Sequence, residues 1–278
     1  MRPVLMLLVL VGCAHPPRVA RAPKVNEPTL EVMTFNVNFG IPGDAATVAL
    51  IEQSTAELVV LQETTPEWEA ATRAGLTKRW PHQQWVHSAG AGGLAVLSRR
   101  PFSATVLENK RGWFPALKVV AESALGPVQV LAVHLRPPVS DSGSFVSGYL
   151  TTSPLRRDEL SAFLAALQPE LPTLVAGDFN EGTSGDAVSA LHGRGFRSVL
   201  PEFVPEAKTW GWDVGSVHLS AQLDHIAASR ELEPLSAKVV KGGRSDHQPV
   251  VATFVRAAHD APERPVPHGG SLSFSSAR

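Results

Sequence analysis

The sequence holds a single cysteine, Cys13, among 278 residues. A disulfide framework is therefore excluded. Charge of one sign is lacking as well. The formal net charge is −1, and between Leu30 and Arg256 there are 19 Lys and Arg against 23 Asp and Glu. This is not the basic balance of a protein built to grip long duplex DNA. No apolar run is long enough to cross a bilayer; Val4 to Val11 is the best and is too short. No repeat and no internal linker interrupts the chain, so residues 29–256 read as one domain. The hydrophobic fraction of 44% is ample for its core.

The amino terminus carries a short positive start, Arg2, then the apolar run, then Leu10-Val11-Gly12-Cys13. This resembles the lipobox of bacterial lipoproteins, and residues 1–13 read as a signal ending at a lipidated Cys13. Several acyl chains on that residue suffice for stable anchoring. The competing reading is a secretory signal cut after Ala20-Arg21-Ala22, but that site lies far from the apolar run, with Pro16 and Pro17 between. Residues 14–28, rich in Pro, Ala and Arg, read as a flexible tether. Residues 257–278 read as a disordered tail, with His259 and His268 inert in it.

Between these segments, apolar runs end on polar groups. Leu171 to Ala176 reads as a buried strand and leads into Gly177-Asp178-Phe179-Asn180. A carboxylate and a carboxamide two apart on an extended chain point to one side. Alone, Asp-x-Asn after a strand is usually a turn. Here it has company. Leu30 to Asn36 ends on an amide, Leu58 to Glu63 on a carboxylate, and Val130 to His134 on an imidazole. Asp224 lies inside the run Leu223-Asp224-His225-Ile226, and Ser245-Asp246-His247 precedes the strand from Val250. Polar ends on so many apolar strands make sense as one convergent site.

In this order and spacing, the six motifs resemble those of the endonuclease/exonuclease/phosphatase superfamily, the metal-dependent phosphodiesterases related to pancreatic deoxyribonuclease. They run from Asn36 to His247, nearly the whole folded part. Gly93 to Arg99 resembles a further family stretch, a core strand. The resemblance implies a four-layered α/β sandwich of two packed mixed sheets flanked by helices. It implies that Glu63 and Asp246 are metal ligands and that Asn36 contacts metal or phosphate. Asp178 would orient or deprotonate the attacking water, with Asn180 holding the water or a phosphoryl oxygen. Asp224 and His247 resemble the family's acid–imidazole pair, and His134 its second histidine, placed for the phosphoryl group or the leaving oxygen. Arg156 either faces the site as a substrate contact or braces a loop. Asn38 lies within reach of the same pocket, and His225 reads as packing. Trp210 and Trp212, on the approach to Asp224, suit an unstacked base or an acyl chain, with core packing the competing use for at least one of them.

Helices are expected from Asp44 through Gln53, from Thr65-Pro66, from Ser153-Pro154, and over Gly185 to Leu191. For the third, Leu155, Leu160, Phe163, Leu164 and Leu167 read as the apolar face. A hairpin is expected through Leu125-Gly126-Pro127. The expectation is a phosphodiester hydrolase using Mg²⁺ or Mn²⁺, nuclease-like or acting on phospholipid or phosphosugar. It would be a monomer without a protein partner, attached to membrane through Cys13 at the cell envelope, facing the periplasm or on the outer membrane, or else secreted. The alternative is a binding lipoprotein of the envelope that kept the fold and lost catalysis. The intact set Glu63, Asp178, Asn180, Asp224, Asp246 and His247 argues against that.

Overall fold

The computed structural model describes residues 16–108, 112–139, 143, 148 and 151–258. Cys13, with the lipid expected on it, and the tail from residue 259 lie outside the described residues. No described helix is long and apolar enough to cross a membrane.

Strands β1 (Leu30–Asn36), β2 (Leu58–Gln62), β3 (His82–Val86) and β4 (Leu94–Ser98) join β13 (Leu232–Val239) and β14 (Val250–Arg256) in one six-stranded sheet, ordered β13-β14-β1-β2-β4-β3. The second sheet is ordered β5-β6-β7-β8-β12-β9. Its strands are β5 (Phe102–Leu107), β6 (Ala116–Ala121), β7 (Val128–His134), β8 (Thr173–Asp178), β9 (Arg197–Ser198) and β12 (Asp224–Ala228). Both sheets are mixed, because β1 runs parallel to β2 and β7 parallel to β8. Their facing sides bury Val32, Val60, Val96, Val130, Leu174, Ile226 and Phe254 in one apolar layer.

Two further layers cover the outer faces. Helices α1 (Ala45–Gln53) and α2 (Pro66–Thr77) bury Ile51, Trp68 and Leu76 against the first sheet. Helices α3 (Ser153–Leu164) and α4 (Asp186–Gly193) bury Leu160, Phe163, Val188 and Leu191 against the second. The four-layered sandwich is thus as expected. The helix starts follow from capping chemistry. Asp44 accepts from the Thr47 amide at 2.9 Å, and Thr65 from the Trp68 amide at 3.2 Å, with Pro66 in the first turn. The expected hairpin joins β6 to β7, with Gly126 at φ +81°.

Three expectations need correction. Leu155 is 43% exposed, and the buried face of α3 instead includes Arg156 and Glu159. The fourth helix runs on through Gly193, and the left-handed turn after it falls at Gly195. The segment read as a free tether is held from Arg18 onward. Its guanidinium pairs with Glu202 at 2.9 Å and with Glu233, and the Arg21 amide donates to the Leu235 carbonyl at 3.0 Å. Composition suggested a loose chain, but these ion pairs need partners far off in sequence. A short helix, α5 (Leu200–Phe203), and a separate hairpin of β10 (Trp210–Val214) and β11 (Val217–Ala221) complete the described fold.

Candidate active site

Strand register gathers the polar ends at one end of the sandwich. Asn36 pairs with Gln62, so Glu63 follows beside it. His134 pairs with Asp178, and Asp178 with Asp224. Because the sheets pack face to face, the two rows of strand ends meet. The loop 240–249 then brings Asp246 and His247 over them. Gly177 is required on this path: at φ +151°, a Cβ there would stand 1.8 Å from the Val133 carbonyl oxygen.

Hydrogen bonds tie the cluster into one network. The Asn36 carboxamide donates to Glu63 Oε1 and to Asp178 Oδ2, each at 3.0 Å. Glu63 Oε2 accepts from the Phe39 amide at 3.0 Å. Asp178 Oδ1 accepts from the Asn180 amide at 2.8 Å, and the Asn180 side chain donates to the Leu135 carbonyl at 2.9 Å, which fixes its orientation. Asp246 accepts from Asn38 Nδ2 at 2.8 Å and from Trp210 Nε1 at 3.1 Å. Three residues here, Asn38, Glu63 and Asn180, hold left-handed backbone at φ +63°, +61° and +53°. Asn tolerates that region and Glu does not readily, so Glu63 is kept there by its partners at a cost of about 1–3 kcal/mol.

His247 Nδ1 lies 2.8 Å from Asp224 Oδ2, and its Nε2 lies 3.6 Å from Asp178 Oδ2. Both residues are buried. Burial alone would lower the imidazole's affinity for a proton. The Asp224, Asp178 and Asp246 carboxylates outweigh it and push His247 up to about 10. Burial pushes the Asp224 carboxyl up while His247 opposes it, and the 2.8 Å contact ties the ring to that carboxyl. His134 is oriented differently. Its Nδ1 faces the Ala91 carbonyl at 3.0 Å, which can only accept, so Nδ1 carries the proton and Nε2 points to Asp178 at 3.5 Å. The Phe114 ring lies 4.7 Å from it, centre to centre.

Four carboxyl groups, those of Glu63, Asp178, Asp224 and Asp246, thus gather near one imidazole. This excess of negative charge, with an oxygen-rich donor set, fits a hard divalent cation. Ligand atoms of Asp178, Asp224 and His247 lie within 4.8 Å of one another. His247 Nδ1 is engaged by Asp224, so its Nε2 is the nitrogen open to an ion. The carboxylates of Glu63 and Asp246 are half-buried.

The structure brings together Asn36, Glu63, His134, Asp178, Asn180, Asp224, Asp246 and His247. Two other expected residues are engaged by neighbouring side chains. Arg156 is 1% exposed; it pairs with Glu181 at 2.9 Å and donates to Thr152 Oγ1 at 2.7 Å. It therefore braces the loop after Asn180, because Glu181 also accepts the Ala187 and Val188 amides that open α4. Trp210 spends its indole N–H on Asp246, whereas Trp212 is 52% exposed. Register puts Trp210, Trp212, Leu219 and Ala221 on one face of the hairpin, with Asp213 and His218 on the other. Sequence reading missed Thr209, whose Oγ1 accepts the Leu223 and Asp224 amides, and Ser245, whose hydroxyl donates to the Asn36 carbonyl. No periodicity marks either. His225 is packing as expected, buried against Phe179 and bonded to Ser198 Oγ at 2.8 Å.

The Arg156–Glu181 pair gives a prediction. Arg156→Ala strands a buried carboxylate and should cost about 3 kcal/mol, on the order of 6 to 12 °C in Tm. KM at the permissive temperature should stay within about twofold, since the guanidinium is turned away from the mouth. Thermal unfolding and steady-state kinetics on the same preparation check both; a large KM rise without loss of stability would restore Arg156 as a substrate contact.

Comparison with known proteins agrees with this geometry. The Endonuclease/Exonuclease/phosphatase family matches residues 33–247. Among solved structures, an endonuclease/exonuclease/phosphatase from Beutenbergia cavernae is similar at TM-score 0.61 and 20% identity, over 82% of this chain and 72% of its own. An AP endonuclease from Archaeoglobus fulgidus gives TM-score 0.59 at 17% identity, over 81% and 99% of the two chains. A truncated TDP2 from Caenorhabditis elegans gives 0.60 at 14%, over 82% and 97%. These likenesses concern the fold. A search of curated protein sequences gives no match.

Proposed function

Since the chain belongs to the Endonuclease/Exonuclease/phosphatase family, we propose that it hydrolyses phosphodiesters with Mg²⁺ or Mn²⁺ at the site described. The carrying observation is the network in which one carboxamide, Asn36, links Glu63 to Asp178 while Asp178 also faces His134 and His247. A bound divalent cation, held by Glu63 and Asp246 with Asn36 beside them, would offset charge on a phosphoryl oxygen. The side chains do the rest. Asp178 accepts the proton of the attacking water, which Asn180 and Asn36 help to position. Water oxygen bonds to phosphorus, and the ester bond to one alcohol breaks. His247, held as a donor by Asp224, bonds the phosphoryl oxygen as charge builds there. The leaving alkoxide takes its proton from solvent water, and His134, whose Nδ1–H donates to the Ala91 carbonyl, lines the site beside Asp178 with an acceptor nitrogen. The products are a phosphomonoester and an alcohol.

The exposed aromatic side chains Phe39, Trp113 and Trp212 support an apolar or aromatic group next to the scissile phosphate. Phe39 bonds Glu63 through its amide, Trp113 adjoins the Phe114 that stacks on His134, and Trp212 follows Trp210. The test is hydrolysis of bis(p-nitrophenyl) phosphate against p-nitrophenyl phosphate. The diester should be preferred in kcat/KM by at least ~100-fold, by analogy with other sites matched to one transition state; an equal or greater rate on the monoester would count against this reading.

We also propose the envelope anchor at Cys13. Cys13 stands five residues before Arg18, a reach of at most about 18 Å. Arg18 docks on Glu233, which lies opposite Val255, at the strand ends away from Asn36. An anchored chain would present its site away from the bilayer that holds it, which favours water-soluble diesters over lipids of the same leaflet. Cys13→Ser should move the protein from the membrane to the soluble fraction, and retention after a high-salt wash would rule the anchor out.

A further inference from the structure

Beyond the catalytic cluster, one pocket shares a wall with it. A cavity of about 430 Å³ is lined by Lys208, Gly211, Ser220, Lys241, Ser245 and Asp246, among others. Lys208 and Lys241 come from different loops, one entering β10 and one leaving β13. Both are exposed, and among the described residues neither makes an ion pair or hydrogen bond. Among the described residues Arg18, Arg21, Arg73, Arg156, Arg157 and Arg197, by contrast, each face a carboxylate.

The loops that present these lysines are pinned. The Gln248 amide donates to the Thr209 carbonyl, the Gly211 amide to the Asp246 carbonyl, and the Gly242 amide to Gln248 Oε1 at 3.0 Å. Gly242 and Gly243 carry φ +134° and +76° and turn the chain just after Lys241. The one carboxylate in the wall, Asp246, already accepts from Asn38 and Trp210. Two unspent ammonium groups, the Ser220 hydroxyl and a wall shared with an acidic phosphodiester site make an anion receptor.

We propose that this pocket is a second-phosphate subsite, which holds an anionic phosphate next to the one being cleaved. The proposal rests on the phosphodiesterase reading and narrows its substrate class. The natural substrate then carries at least two phosphates within reach, as a single-stranded polynucleotide or a head group with a further phosphate does. A diester with no neighbouring phosphate leaves the pocket idle.

The test uses the full chain and two double variants, Lys208→Ala with Lys241→Ala, and Lys208→Arg with Lys241→Arg. All the changes are at exposed positions. Kinetics are measured on bis(p-nitrophenyl) phosphate, on tetrathymidylate, and on a glycerophosphoinositol bearing one ring phosphate. Binding of fluorescein-labelled tetrathymidylate and inositol bisphosphate is measured separately in chelator. The alanine pair should raise KM about tenfold on a two-phosphate substrate with kcat nearly unchanged, weaken binding of the same ligand about tenfold, and leave bis(p-nitrophenyl) phosphate unaffected. The arginine pair should keep most of the affinity. For tetrathymidylate, the slope of log KM against log salt should fall by about 0.7 for each phosphate that the alanine pair no longer holds. The ligand that responds identifies the source of the second phosphate. An equal loss on bis(p-nitrophenyl) phosphate, or no loss on either two-phosphate ligand, would overturn the subsite. If the wild type cleaves no diester yet the binding shift persists, the subsite stands and the phosphodiesterase reading fails.

Discussion

Asp178→Asn is expected to lower kcat on an activated phosphodiester by at least ~100-fold, the range that positioned acid–base groups supply, with the fold intact. Asn occupies the same volume and can still accept from the Asn180 amide through its carbonyl oxygen, a bond of 2.8 Å in the native chain. What it loses is the charge and the basicity at Oδ2, the atom that faces Asn36, His134 and His247. The effect should therefore fall on the transition state and leave KM close to its native value. Steady-state kinetics, with circular dichroism and thermal unfolding as controls, measure it. A loss of less than threefold would remove Asp178 from the chemistry.

His247→Ala should be comparably severe, at least ~100-fold in kcat, because it removes the donor to the phosphoryl oxygen. Its partner supplies the more specific expectation. Asp224 is fully buried and bonds His247 Nδ1 at 2.8 Å. Asp224→Asn alone should cost on the order of 10- to 100-fold, as a mis-set imidazole loses tautomer and charge. Added to His247→Ala, it should cost little more, since its role is exerted through the ring. Multiplicative losses in the double variant would mean that Asp224 acts on something other than His247.

Much of this site was legible because apolar strands rarely end on polar groups by chance. Asn36, Glu63, His134 and Asp178 each close a buried run, and the register of β1 with β2 and of β7 with β8 turns that pattern into a cluster. Helix starts were legible for a similar reason: Asp44 and Thr65 act within one turn, so the signal is local. What escaped depends on contacts distant in sequence. Arg156 looked equally suited to substrate and to bracing, and only its 2.9 Å contact with Glu181 decides. The docking of Arg18 on Glu202 and Glu233 spans most of the chain. The left-handed backbone at Glu63 runs against residue preference, so no local rule could have placed it. The β10–β11 hairpin was hidden because its strands expose Trp212, Val217 and Leu219 instead of burying them.

The central claim is that the carboxylate cluster works with a divalent cation on a phosphodiester. The most direct measurement is the rate of bis(p-nitrophenyl) phosphate hydrolysis by the full chain, first stripped with excess chelator, then titrated with Mg²⁺, Mn²⁺ and Ca²⁺, with Glu63→Gln in parallel. The account predicts no rate above background in chelator, recovery with Mg²⁺ or Mn²⁺, little with Ca²⁺ alone, and a higher Mg²⁺ requirement for Glu63→Gln. Full activity in excess chelator would contradict it.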